Sequence, residues 1–167
     1  MKNFIVTLSM MLACSPILAE NIDITGTVES RCIINTDTAG YYGNPSAHTL
    51  STTPADGGAK PVIRIDNSLA GSYWLQVSYP TSFSSSPSLS DTVAWTGSAT
   101  VAQTSSSDMS NYQSTSTTVG NMRQYGLSVA GTVWIEVASS ATYGGGQNKP
   151  FPAGNYKAYV LAECIAQ

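Results

Sequence analysis

Across residues 156–164, Tyr156, Ala158, Val160, Ala162 and Cys164 fall on one side of a two-residue repeat. Lys157, Tyr159, Leu161 and Glu163 fall on the other. A period of two is the side-chain repeat of a β-strand, so this stretch is expected to be extended, with one face inward. The same period recurs along the chain. In residues 21–35, Ile22, Ile24, Gly26, Val28, Ser30, Cys32 and Ile34 share a face, predicting a long half-buried strand. Residues 62–66 (VIRID) and 72–80 (SYWLQVSYP) read as strands, the latter with Tyr73, Leu75, Val77 and Tyr79 on one face. Residues 92–103 read as another. Residues 123–131 and 132–140 read as a hairpin about Ala130 and Gly131, and NSLAGS as the hairpin connection between the two strands before it. No window carries a sustained helical period. About seven to nine short strands separated by turn signals predict an all-β domain, an Ig-like antiparallel β-sandwich, with a closed barrel as the alternative fold.

The intervening segments are polar and rich in turn formers. Residues 35–61 are expected to form a long loop with turns at YGNPS and ADGGAKP. The Ser/Pro stretch SFSSSPSLS reads as a loop. The stretch TSSSDMSNYQSTSTTVGN reads as loop or as loop with a Thr-rich edge strand near residues 115–119.

Residues 1–19 have the form of a secretory signal: Lys2, an apolar run, Pro16, and a small-residue cleavage site at Ala19. The run is too short for a good membrane span. The expected mature chain is one domain, residues 20–167, exported to the cell surface or an extracellular filament through the periplasm. A loose lipobox around Cys14 is the competing reading of this segment. Removing the signal leaves Cys32 and Cys164, and an even pair in an exported chain is expected to be a disulfide, against the alternative of two buried thiols. Only 10% of residues are charged, the net charge is −3, and Ser and Thr make up about a quarter of the chain. Seven Lys and Arg argue against nucleic acid as a partner.

Chemistry-bearing residues are sparse. His48 is the one histidine and sits in a turn-rich loop. No nucleophile elbow, zincin helix motif or phosphate loop is present, and the acids do not cluster as in a calcium loop. The expectation is therefore a non-enzymatic protein without cofactor or metal. Trp74, Trp95 and Trp134 have two readings. They stack on carbohydrate, as in a self-complete secreted carbohydrate-binding module, or they fill the core and its flanks.

The two ends carry a further pattern. The early stretch IDITGTVESRC holds a cysteine, and FPAGNYKAYVLAEC places Gly154 fourteenth from the C-terminus before the alternating strand. Both resemble the chaperone–usher family of bacterial pilins. The resemblance implies a sandwich lacking its seventh strand. A periplasmic chaperone, and then the N-terminal extension of another subunit, would fill the gap by β-strand addition. It implies a fimbrial or pilus subunit, a role in adhesion, and an outer-membrane usher as a further partner. The residues it assigns to complementation are Ile22, Ile24 and Val28 on the donor side and Tyr156, Val160 and Ala162 beside the gap. A Cys32–Cys164 bridge would bring the first and last strands together near Cys32, so the competing expectation is a complete sandwich with stapled ends.

Overall fold

The computed structural model describes residues 27–29, 31–145 and 149–167. The signal segment, Cys14, Ile22 and Ile24 lie outside the described residues. The strands are β1 (Cys32–Thr38), β2 (Gly43–Ser46), β3 (Thr49–Ser51), β4 (Val62–Asn67), β5 (Tyr73–Ser78), β6 (Val93–Thr104), β7 (Thr117–Val119), β8 (Met122–Gly126), β9 (Gly131–Tyr143) and β10 (Leu161–Ala166), with a one-turn helix α1 (Tyr112–Thr115). They form two antiparallel sheets, of six and four strands, packed as a β-sandwich.

Strand β9 shows why. Val133, Ile135, Val137, Ser139, Ala141 and Tyr143 are buried at every second position, while the residues between them are half-exposed. A strand patterned in this way has one face to cover and two backbone edges to pair. One edge takes β6 from Val93↔Tyr143 to Thr104↔Val133. The other takes β4 at residues 131–136 and then β3 at residues 140–142. β1 adds outside β4, and β2 outside β3. In the second sheet β5 lies between β10 and β8, and β7 pairs with β8. Ile63, Ile65, Leu75, Val77, Tyr125, Leu127, Val133, Ile135 and Val137 fill the space between the sheets. Each large apolar side chain removed from water there contributes about 1.5–3 kcal/mol before chain entropy is subtracted.

Buried polar groups tie the layers together. The Tyr125 hydroxyl, on β8, donates to the Ala99 carbonyl on β6 at 2.8 Å, spanning the two sheets. Burial raises its pKa to about 12. Asn67 Nδ2 donates to the carbonyls of Leu127 and Val129 at 3.4 and 3.2 Å. The Tyr112 hydroxyl accepts from Val129 N–H at 2.9 Å.

Four expectations are corrected. NSLAGS and the Ala130–Gly131 turn do not close hairpins: β4 and β9 pair with each other in the larger sheet, and β5 and β8 pair in the smaller. Both segments cross between sheets. The Asn67 amide holds the second crossover against the first, and Gly71 N–H bonds Leu127 O at 2.8 Å. Residues 35–61 are not one loop, since β1 runs on to Thr38 and β2 and β3 form a small hairpin. Among the described residues the expected long first strand begins at Cys32, and residues 27–29 and Arg31 are outside any strand; the part at residues 21–26 lies outside the described residues. Cys32 pairs Asn67, the last residue of β4; just beyond it Ser68 N–H donates to Arg31 O at 3.0 Å, and the Ser68 hydroxyl accepts from Arg31 N–H at 2.7 Å. Val28 is 86% exposed and outside any strand. The Thr-rich edge strand exists as β7, but the polar stretch before it also buries Met109 and Tyr112.

Candidate functional site

Two of the free strand edges lie next to one another. Among the described residues β1 pairs only with β4, and β10 only with β5. No ladder joins β1 to β10. The Cys32–Cys164 disulfide joins them instead, with Cα atoms 6.2 Å apart. From that staple β1 runs forward to Thr38, and the last segment runs back from Cys164 toward Tyr156.

The alternation expected of the last segment is present. Tyr156, Ala158, Val160, Ala162 and Cys164 are half-buried, and the residues between them are exposed. Its hydrogen bonding is less regular than its periodicity. The ladder with β5 starts at Leu161, and upstream the backbone is fixed by a bridge between Lys157 and Ser85. On the opposite wall Cys32 and Ile34 are half-buried. None of these inward residues reaches the full burial of their counterparts on β9, because one side of each is uncovered.

The uncovered side is a cleft of about 880 Å³. Thr36, Ala39, Tyr42 and Pro61 line one wall, Phe151, Tyr156, Ala158 and Val160 the other, and the buried side chains of Leu50 and Ile63 lie at its floor. An aromatic cluster lies at the end away from the staple. Phe83 is its hub, with ring centroids 4.7 Å from Trp95, 5.0 Å from Tyr156 and 6.0 Å from Phe151. Tyr143 stacks on Phe151 at 5.2 Å. Edge-to-face and offset geometries at these separations are the favourable ones for aromatic pairs. The Tyr156 hydroxyl donates to Pro152 O at 2.6 Å, and Ser90 N–H donates to the Tyr143 hydroxyl at 2.9 Å. Desolvation raises the pKa of Tyr156, and the neighbouring Tyr143 adds to the shift. Burial likewise raises that of Tyr42, whose hydroxyl lies 3.2 Å from Ser139 Oγ.

Gly154 turns the chain into this wall. Its φ is +151°, and a Cβ there would stand 2.4 Å from Pro87 Cγ. Backbone conformation and close approach both demand glycine.

Of the complementation candidates, Tyr156 and Val160 line the cleft, Ala162 packs beyond it against the core, and Val28 is left outside it. The three tryptophans do not share a surface. Trp95 points inward to Phe83. Trp134 lies on the outer face of the six-stranded sheet, where its indole N–H donates to Asp37 Oδ1 at 3.3 Å. Trp74 lies on the outer face of the four-stranded sheet, 39% exposed. His48 is half-buried in the turn between β2 and β3, and its carbonyl accepts from Tyr143 N–H at 3.0 Å. Among the described residues no three His, Cys, Asp or Glu side chains gather to hold a metal ion.

Tyr42, Phe83, Tyr143 and Phe151 were not singled out by periodicity. Phe83 and Phe151 are isolated aromatics within Ser-, Pro- and Gly-rich connections. A large apolar ring in an otherwise polar loop is itself a signal of a local burial site. No protein-family model, no curated protein and no solved structure matches the chain.

Proposed function

We propose that the chain is a structural subunit of an extracellular pilus-like filament, assembled by β-strand complementation, with a periplasmic chaperone and an outer-membrane usher as partners in transit. The observation that supports this most is the cleft between the end of β1 with the segment that follows it and residues 151–160, which lead into β10. Unpaired N–H and C=O groups beside half-covered apolar side chains are a template for one more strand. The staple restricts this template at one end only. From Cys164 back to Tyr156 the segment measures about 26 Å at the rise of a β-strand, the length of a guest of about eight residues, and its part from Tyr156 to Val160 lines the cleft. The segment 21–28 has that length, and Ile22, Ile24, Gly26 and Val28 alternate along it.

Direction favours another copy over the chain's own segment. Ser68 Oγ donates to Glu29 O at 3.0 Å and accepts from Arg31 N–H, which ties the entry to β1 toward β4 and away from β10. The donor segment thus leaves near the staple, while the cleft opens toward Tyr42 and Phe151 at the other end. Donor and acceptor at opposite ends make a heterologous interface, which repeats into an open fibre.

The test uses the exported protein and a synthetic peptide of residues 20–31. Added peptide is expected to raise the thermal midpoint, and a variant lacking residues 20–28 is expected to form no filaments while still accepting the peptide. A midpoint indifferent to peptide, in a stable and cooperative monomer, sinks the proposal and favours a self-complete sandwich.

A further inference from the structure

The outward face of the four-stranded sheet is built unlike the rest of the surface. Register places Ile165, Trp74 and Gly126 side by side in one cross-strand row. The indole spreads over Gly126, where a Cβ would stand 3.1 Å from its ring. The next row on the same face is Glu163, Gln76 and Gln124. Their side chains make no hydrogen bond to another described residue. Adjacent same-face rows lie about 7 Å apart and three strands span about 10 Å, so the indole and the polar row bound a shallow site comparable in size with two linked sugar rings.

We propose that this face binds a neutral oligosaccharide, with Trp74 as the stacking platform and Gln76, Gln124 and Glu163 as the hydrogen-bonding row. An indole face packs against the C–H face of a pyranose, while two amides and a carboxylate supply both donors and acceptors to ring hydroxyls. Charge selects the class. No outward residue of these four strands is Lys or Arg, and Glu163 repels anions, so phosphate, sulfate and sialic acid gain no ion pair. Lys157, six residues before Glu163 and about 20 Å away along extended chain, lies over the Tyr159 ring. A second protein copy fits less well, because the polar row divides the apolar residues Trp74 and Ile165 from Leu161 and Val119 rather than leaving one contiguous patch. The face lies outside the cleft, so a guest strand does not cover it.

Fluorescently labelled exported protein would be applied to immobilised gluco-, manno-, galacto- and N-acetylglucosamine oligosaccharides, with sialylated and sulfated forms beside them. Retention is expected on at least one neutral oligosaccharide and no more strongly on its charged form. Trp74→Ala should weaken it about tenfold or more, and Trp74→Phe less. The Gln76→Ala/Gln124→Ala pair, whose side chains bear no structural bond, should weaken it with the thermal midpoint unchanged. This second variant decides the matter if Trp74→Ala fails to fold. No retention on any neutral member, stronger retention on the charged forms, or unchanged retention by folded variants overturns the proposal. A change of oligomeric state in Trp74→Ala without a change in retention does so as well, since it assigns the face to a contact between copies.

Discussion

Replacing Cys32 and Cys164 together by serine tests how the two edges are held. The bridge joins residues 132 apart, almost the whole described chain, and no hydrogen-bonded ladder between β1 and β10 duplicates it. A cross-link over a loop of this length removes a large share of the unfolded chain's freedom, worth about 5 kcal/mol at 25 °C on the chain-entropy argument. A domain of this size has a total stability of about 5–15 kcal/mol, so the expected loss is a large fraction of it. Because the effect acts on the unfolded state, the uncross-linked chain should also expose more surface on unfolding and show a steeper dependence on urea. Equilibrium urea unfolding of the two proteins, followed by tryptophan fluorescence, gives both quantities. The reasoning is refuted by a loss below about 1 kcal/mol with an unchanged urea slope. That outcome would mean that packing between β1 and β10, rather than the covalent tie, sets the closed end of the cleft.

Two other perturbations follow from single side chains. Tyr125→Phe should cost about 1–3 kcal/mol, since it strands the buried Ala99 carbonyl. Its pH dependence has a definite sign. The folded pKa of about 12 lies above the unfolded value near 10, so the stabilising contribution is complete below pH 10 and lost as pH rises toward 12. The slope approaches about 1.4 kcal/mol per pH unit. Stability measured from pH 9 to 12 should fall less steeply in Tyr125→Phe, and parallel curves would count against the assignment. Gly154→Val should cost about 1–3 kcal/mol through positive φ and the contact with Pro87, and should loosen the aromatic wall, read as a loss of near-ultraviolet dichroism. Full retention of that signal would show that the wall does not depend on the turn.

The strand pattern was legible where one face is buried and the other wet. The sets Leu75/Val77/Tyr79 and Val133/Ile135/Val137 read directly from period two, and the buried set is the one expected. Pairing was not legible. A strand with one apolar face packs equally well against a neighbour in its own sheet or across from it, so the segments around Gly71 and Gly131 resembled hairpin turns. The Asn67 bonds to Leu127 and Val129 that hold the crossovers join residues 60 and 62 positions apart. Such contacts leave no local periodicity. The limit of β1 was hidden for a similar reason: alternation continues upstream of Cys32, but the partner strand ends at Asn67.

By itself the sequence determined the β class, the inward set of the last segment and the cysteine pair, because side-chain period and cysteine number are local properties of the chain. Tertiary structure decided that β1 and β10 are edge strands of different sheets, stapled at one end and separated along the rest. It also drew Tyr42, Phe83, Trp95, Tyr143, Phe151 and Tyr156 to the open end of the cleft. Edges and clefts are defined by which strands are adjacent in space, and adjacency is settled only when both sheets have closed over their common core.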